Sequence, residues 1–288
     1  MPTLPLIRLL AALGLALCVL SPLQAADKVD AAQTRRLQAF FDARWETLMK
    51  TFPEWATYLG DNRYGDRLED ASPAAIAANF AEMRRALAQA RALRRTGLAA
   101  KDRTSLDVFI DQYEDRLRLE PFAGFRSMSL GALDGFQSGF SSLLQSSPVE
   151  RRAQVEQVLA RMAAYPRRVD QELALLREGM ALRWVPPRSV LERVLPQIDG
   201  QLVADVDKSP FFEPFTRLGK DIPAADQEAL RQRARQAVAS QVEPALRKLR
   251  AFVEADYCRR RLPVAPWAAT RVARRSMRPS CVPTPRWT

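Results

Sequence analysis

Residues 224–257 read AADQEALRQRARQAVASQVEPALRKLRAFVEADY, and this stretch organises the rest of the chain. Apolar residues recur along it every three or four positions: Leu230, Ala234, Val238, Val242, Leu246, Leu249, Val253 and Tyr257. Such spacing places one apolar stripe on an amphipathic helix. Asp226 and Glu228 precede the stripe, where the helix dipole favours negative charge. Pro244 interrupts the pattern, so the sequence predicts a long helix with a kink near Val242.

The same helical spacing recurs upstream of this stretch. From Asp30 to Lys50 the apolar residues at that spacing are Leu37, Phe40, Phe41, Trp45 and Leu48. Residues 72–95 and 101–119 predict two more helices, and residues 120–147 predict a glycine-containing connection with short helices. No stretch alternates apolar and polar residues as a half-buried strand does. The sequence therefore predicts an all-α protein, a multi-helix bundle.

Prolines mark helix boundaries in the second half of the body. Ser147-Pro148-Val149-Glu150 combines a capping box with a proline in the first turn, which predicts a helix start. Pro166 predicts the start of the next helix or a kink. Pro186-Pro187 predicts a break, after which a further apolar helix face follows.

Met1–Ala25 has the organisation of a secretory signal peptide. Arg8 is its positive residue and LLAALGLALCVL is its apolar segment. About twelve apolar residues fall short of the ~20 that a membrane-spanning helix needs. Lipid attachment at Cys18 is an open alternative, although Leu15-Ala16-Leu17 has a large residue where lipoprotein signals have a small one. We therefore expect a periplasmic or secreted protein with no stable membrane span after cleavage.

The net charge of +11 is concentrated at the C-terminal end of the chain. Residues 258–288 hold eight of the 44 basic residues and none of the 33 acidic ones, which leaves 36 basic against 33 acidic residues before them. The eight are Arg259, Arg260, Arg261, Arg271, Arg274, Arg275, Arg278 and Arg286. The body is nearly neutral, so we expect no nucleic-acid partner. Residues 258–288 carry five prolines and no helical periodicity, which predicts a disordered basic tail.

The composition excludes several kinds of site. The chain has no histidine, which removes the commonest general base and the commonest metal ligand. Its three cysteines are Cys18, Cys258 and Cys281, so residues 26–257 hold no thiolate nucleophile, zinc–cysteine site or disulfide framework. We assign no catalytic, cofactor-binding or metal-binding residue to this chain.

Two charged clusters have both a functional and a structural interpretation. Oxygen-bearing residues between Thr57 and Ser72 could hold a cation: Asp61, Asn62, Asp66, Glu69 and Asp70. Their spacing does not match a calcium loop, and turns around Gly60 and Gly65 are the preferred explanation. Five arginines could hold an anion: Arg151, Arg152, Arg161, Arg167 and Arg168. Acidic neighbours such as Glu172 offset them, so we expect a solvated helix face.

Five segments occur in the order in which a bacterial exported family has them. They are Pro53-Glu54-Trp55-Ala56-Thr57-Tyr58-Leu59-Gly60, Glu178-Gly179-Met180, Trp184-Val185-Pro186-Pro187-Arg188, Ser209-Pro210-Phe211 and Val242-Glu243-Pro244-Ala245-Leu246. On these segments the chain resembles the family catalogued as domain of unknown function 885. Arg183 stands where the resemblance implies glycine in many members.

The resemblance implies an all-helical fold and a zinc metallopeptidase-like activity. The metal site that it implies, a His-Glu-x-x-x-Gly-His type of helix, belongs to a second half of the full-length family protein, so zinc is expected only there. We expect residues 26–257 to be the N-terminal helical part of the family domain, a non-catalytic fragment of an exported hydrolase of unknown substrate. A helical binding or scaffold protein of the cell envelope is the alternative. Without a second half to cover the 224–257 stripe, we expect exposed apolar surface and self-association.

Residues 258–288 fit a shifted reading frame. Tyr257-Cys258-Arg259-Arg260 can be encoded TAC TGC CGG CG, and one inserted C gives TAC CTG CCG GCG. That reads Tyr-Leu-Pro-Ala, the continuation that the resemblance leads us to expect. Peptide rich in arginine, alanine and proline is typical of GC-rich coding sequence read out of frame. A genuine basic tail that touches anionic lipid or nucleic acid is the alternative.

Overall fold

The computed structural model describes residues 29–257. The predicted signal peptide, Met1–Ala25, and the predicted disordered tail, residues 258–288, lie outside the described residues, so both stay predictions. Residues 29–257 form α-helices, short 3₁₀ segments and π-turns, and they contain no strand. The prediction of an all-α fold is therefore confirmed.

Helices make up most of the described chain. In chain order they are α1 (Ala31–Thr51), α2 (Pro53–Tyr58), α3 (Pro73–Ala92), α4 (Ala100–Arg118), α5 (Ala123–Arg126), α6 (Phe136–Ser146), α7 (Arg152–Leu182), α8 (Arg188–Asp199), α9 (Ala224–Ala237) and α10 (Glu243–Phe252). The 3₁₀ segments are Asn62–Tyr64, Val206–Lys208 and Glu213–Arg217, and the π-turns are Val238–Val242 and Val253–Tyr257. Across residues 29–257, none of these helices is both long and apolar enough to cross a membrane.

The long helix predicted over residues 224–257 is present as α9 and α10 joined by a π-turn. All eight residues of its apolar stripe are buried, none more than 3% exposed. The irregularity predicted near Val242 is the π-turn Val238–Val242, directly before Glu243-Pro244. In a regular helix the ring of Pro244 would collide with the carbonyl four residues earlier, and a wider turn relieves that collision. Because the stripe is buried, the expectation that it is left partly uncovered is wrong.

Helix α7 begins later than the sequence predicts. Its first residue is Arg152, and the backbone N–H of Arg151 donates to the side-chain oxygen of Gln154 at 2.9 Å. The hydroxyl of Ser147, the predicted cap, donates instead to the carbonyl of Leu143 at 2.8 Å, near the end of α6. The capping-box prediction at Ser147 is therefore wrong, because that serine closes the preceding helix.

Pro166 does not divide the segment that contains it. Helix α7 runs without interruption from Arg152 to Leu182, with Pro166 inside it. Met162 and Val169, on either side of the proline, are fully buried. Packing of such apolar neighbours offsets the backbone hydrogen bond that the proline removes.

The described chain divides into two compact units, of which the first comprises residues 29–45 and 82–117. Its buried core consists of Leu37, Ala86, Leu87, Ala90, Leu98, Leu106, Ile110 and Tyr113. Beside this core the rings of Phe40 and Phe109 pack edge to face with centroids 5.0 Å apart, and Phe109 stacks on Tyr113 at 4.1 Å. Trp45 was predicted on the buried face of α1, but it is 49% exposed.

The second unit comprises residues 46–81 and 118–257, and α7 is its central helix. Helices α5, α9 and α10 pack against α7, and α8 packs against α6 and α10. The break predicted at Pro186-Pro187 is present, because α7 ends at Leu182 and α8 begins at Arg188. The Ser209–Leu218 connection adds three buried aromatic side chains to this core: Phe211, Phe212 and Phe215.

Two of the quoted sequence segments meet at the end of α7. Arg183 ends the helix in the left-handed conformation, with φ 60°, and the backbone N–H of Trp184 donates to the carbonyl of Gly179 at 2.8 Å. A Cβ on Gly179 would overlap the side chain of Ser127, and one on Gly124 would overlap the indole of Trp184. A left-handed position at a helix end is one that glycine adopts without strain. This accounts for the glycine that the resemblance implies where Arg183 stands.

Candidate functional site

Arg161 lies on the buried side of α7 and is 0% exposed. Its guanidinium donates to five acceptors within 3.4 Å: the carbonyls of Pro53, Tyr64 and Arg67 and the hydroxyls of Thr57 and Ser147. Burial lowers the pKa of Arg161, and these acceptors replace the water that the charge has lost. The prediction of a solvated helix face is therefore wrong for this residue.

The segment from α2 to the end of the polar loop is arranged around that guanidinium. Both turns predicted there are present: Gly60 turns the chain with φ 85°, and at Gly65 the backbone N–H of Arg67 donates to the carbonyl of Tyr64 at 3.2 Å. The loop carboxylates have separate partners: Asp61 accepts from Arg63, and Asp70 accepts from Arg167. Nowhere in residues 29–257 do three or more metal-ligating side chains come together.

A cavity of about 210 Å³ lies beside this loop, within the second unit. Its apolar wall consists of Leu68, Phe136, Gly139, Phe140 and Leu143. Its polar wall consists of Glu54, Tyr58, Glu69, Tyr165 and Arg168. Tyr58 is about half exposed, so the cavity reaches the surface beside that ring. Helix α2 and the loop thus supply two carboxyl groups to a cavity whose other walls include four aromatic rings, those of Tyr58, Phe136, Phe140 and Tyr165.

The side chain of Glu54 accepts one hydrogen bond, from the backbone of Glu69, and its second oxygen has no partner. Oε1 of Glu54 accepts from the backbone N–H of Glu69 at 2.8 Å, while Oε2 of Glu54 is buried and has no hydrogen-bond partner. Burial raises the pKa of the Glu69 carboxyl to about 7, since the negative charges of Glu54, Glu172 and Asp70 add to the shift and only Arg168 opposes it. Near neutral pH this carboxyl can therefore gain or lose a proton.

The positive charge in the cavity wall is engaged by a buried carboxylate. Arg168 Nη1 lies 2.9 Å from Glu172 Oε2, and Glu172 is only 1% exposed. The hydroxyl of Ser129 donates to the other oxygen of Glu172. The Arg168 guanidinium also lies over the ring of Phe136, 4.8 Å from its centroid. Arg168 and Glu172 were both predicted on a solvated face, and for both the prediction is wrong.

Tyr165 presents a buried hydroxyl group that has no partner among the described residues. The residue is 1% exposed, and its ring stacks on that of Phe140 with centroids 3.9 Å apart. Its hydroxyl oxygen is buried and forms no hydrogen bond with any described residue. Burial raises the pKa of Tyr165, so the hydroxyl stays protonated and can both donate and accept.

The sequence does contain a signal for this cavity. Glu54 and Tyr58 are four residues apart in a quoted segment, and Tyr165, Arg168 and Glu172 recur at steps of three and four along α7. That spacing puts the α7 group on one side of the helix, next to apolar residues such as Val169. Polar side chains within an apolar helix face are the signature of a buried polar cluster.

Residues 29–257 thus form an all-helical protein built around α7, with a buried polar cluster on that helix. The chain belongs to the family described as bacterial protein of unknown function, DUF885, whose model matches residues 53–276. The match continues past Tyr257 and so includes part of the segment for which we predicted a shifted reading frame. No curated protein matches the sequence.

A solved structure has a similar fold. It is the crystal structure of a protein described as a lipoprotein from Colwellia psychrerythraea, with a TM-score of 0.66 and 14% sequence identity. The similarity covers 77% of this chain and 41% of that one. The chain thus spans less than half the length of its structural relative, and at this identity the likeness is one of fold.

Proposed function

We propose that this chain is the non-catalytic helical part of an exported, metallopeptidase-like hydrolase. The observation that carries the proposal is the fold match to 41% of a longer chain, together with membership of the family. The sequence contains no histidine, so the histidine ligands and the general base of a zinc peptidase would have to come from outside it. On this proposal the chain holds no cofactor of its own, and zinc belongs to the full-length family protein.

Export to the periplasm or the medium is part of the same proposal. The leader-like organisation of Met1–Ala25 supports it. The structural relative is described as a lipoprotein, a kind of protein that is also exported. Cys18 would be the position for lipid in this chain.

A peptidase assay tests the proposal that this chain is non-catalytic. The chain beginning at Asp27 is incubated with a mixed set of fluorogenic peptides in the presence of zinc, with and without chelator. The expected result is no hydrolysis above the rate in buffer in either sample. Hydrolysis that follows the purified chain and disappears with chelator would contradict the proposal.

Sequencing the gene across the codon for Tyr257 tests the relation to a longer protein. A shifted frame would account for the arginine-rich composition of residues 258–288, and the family match as far as residue 276 counts against it. The proposal expects coding sequence with a His-Glu motif further downstream. An uninterrupted frame with no histidine-containing continuation would favour the second candidate, a helical binding protein of the envelope, for which the cavity beside α7 is the supporting observation.

A further inference from the structure

We propose that the cavity lined by Glu54, Glu69 and Tyr165 binds a small organic ammonium ion, a primary amine with a short aliphatic or single-ring body. Three features meet there: a buried carboxylate oxygen without a partner, a buried hydroxyl without a partner, and a wall of aromatic rings. This inference does not depend on whether the chain belongs to a hydrolase.

The polar groups suit the head of such a ligand. A primary ammonium group has three N–H donors and no acceptor, as in lysine. Glu54 Oε2 and the Tyr165 hydroxyl are acceptors with no other bond to make, and the Glu69 carboxyl is a third acceptor in the same wall. A hydrogen bond between two charged groups is about twice as strong as one between neutral groups. An ammonium ion would also satisfy two buried polar groups that otherwise lack partners.

The remaining walls suit the body of the ligand. The rings of Tyr58, Phe136 and Phe140 line the cavity, and aromatic faces attract both cations and aliphatic C–H groups. At about 210 Å³ the cavity is larger than an engineered protein cavity of about 150 Å³ that binds benzene, so it has room for a small amine. Arg168 is the only cation in the wall, and its ion pair with Glu172 reduces its repulsion of a bound cation.

Calorimetric titration of the chain beginning at Asp27 tests the inference. The probes are three groups of matched size: n-butylamine and benzylamine, the alcohols n-butanol and benzyl alcohol, and the carboxylates butyrate and benzoate. We expect each amine to bind at least about tenfold more tightly than its matched alcohol, because only the amine is charged. Equal affinities for amines and alcohols, or preferential binding of the carboxylates through Arg168, would overturn the inference.

Variants identify the groups responsible. Glu54→Gln and Glu69→Gln should each weaken amine binding about tenfold or more, whereas Glu178→Gln, an exposed change on α7, should leave it unchanged. Tyr165→Phe removes only a hydroxyl that has no partner, so the variant should fold and should bind the amines several-fold more weakly. Circular dichroism of each variant confirms folding. Amine binding that none of the three cavity variants weakens would place the ligand elsewhere and overturn the assignment.

Discussion

Among single residues, Arg161 is buried and bonded to the backbone in a way that its position in the sequence does not predict. It lies among four other arginines in the sequence, yet it alone is fully enclosed and donates to three backbone carbonyls. A buried guanidinium without its acceptors would be costly, and so would the acceptors without the guanidinium. The arginine and the 53–67 segment therefore stabilise each other.

Replacement of this arginine should be strongly destabilising. Arg161→Met fills part of the space but leaves the carbonyls of Pro53, Tyr64 and Arg67 without donors. We expect a loss of about 3–5 kcal/mol in the free energy of unfolding, measured by urea denaturation. Arg167→Met is the matched control: its side chain is 74% exposed and pairs with Asp70 at the surface, so it should cost less than ~1 kcal/mol. Similar losses in the two variants would disprove this role for Arg161.

Glu69 should make stability depend on pH. Its folded-state pKa of about 7 lies above the ordinary glutamate value of 4.5, so between these two pH values the folded chain holds a proton that the unfolded chain has released. The free energy of unfolding should therefore fall, by roughly 1–3 kcal/mol, as the pH rises from about 5 to 8. Glu54, Glu172, Asp70 and Arg168 are the charged groups that face this carboxyl.

Denaturation of Glu69→Gln across the same pH range measures this effect. The variant cannot ionise at this position, so its stability should change less between pH 5 and 8 than that of the parent chain. Glu178→Gln should keep the parent profile, because Glu178 is exposed. Parallel profiles for the parent and Glu69→Gln would show that Glu69 does not titrate in this range.

Among the elements, α7 shows how packing overrides local signals. Proline inside a helix usually costs about 3 kcal/mol, yet α7 continues through Pro166 because apolar side chains in both flanking turns, such as Met162 and Val169, are buried. The C-terminal end of α7 is not buried in this way, because Leu182 and Arg183 are exposed. Arg183 holds a left-handed conformation that disfavours residues with a Cβ.

Glycine at the end of α7 should stabilise the fold. Arg183→Gly removes the strain of the left-handed conformation, and we expect a gain of about 1 kcal/mol in the free energy of unfolding. Leu182→Gly is the control, since Leu182 is exposed but still helical, and there glycine should cost about 1 kcal/mol. Thermal and urea denaturation of both variants should therefore show changes of opposite sign. A loss of stability in Arg183→Gly would show that contacts of the arginine side chain outweigh the backbone strain.

At the scale of the whole molecule, the buried apolar clusters lie within residues 29–257, whereas most of the excess positive charge lies in residues 258–288. The described residues include three buried apolar clusters, one in the first compact unit and two in the second, and the larger cluster of the second unit contains the whole 224–257 stripe. Exposed apolar side chains occur elsewhere, among them Trp55, Tyr58 and Leu59 in and just after α2. Self-association therefore stays a prediction, and the buried stripe is not its surface.

Removal of residues 258–288 should change the charge of the molecule more than its stability. The net charge falls from +11 to +3, because eight arginines and no acidic residue are lost. We expect the melting temperature and the helix content to be nearly unchanged, since the sequence of residues 258–288 shows no apolar periodicity that predicts a buried helix face. Any affinity of the full chain for DNA or anionic vesicles should fall steeply as the salt concentration rises. That affinity should be lost once residues 258–288 are removed. DNA binding that survives the truncation would mean that the nearly neutral body carries a nucleic-acid site.

The sequence by itself determined the fold class and most of the helices. Apolar residues spaced three or four apart lie on one side of the chain only when it is helical, and only then can they be buried together. It also excluded histidine and cysteine chemistry from the body. Only the tertiary structure decided which charges are buried. Arg161, Arg168 and Glu172 look like surface residues in the sequence, since the partners of Arg161 come from segments about 100 residues away and Ser129 reaches Glu172 from another helix connection. The cavity has the same origin: Glu54 and Glu69 are distant in sequence from Tyr165, and chain folding alone brings them together.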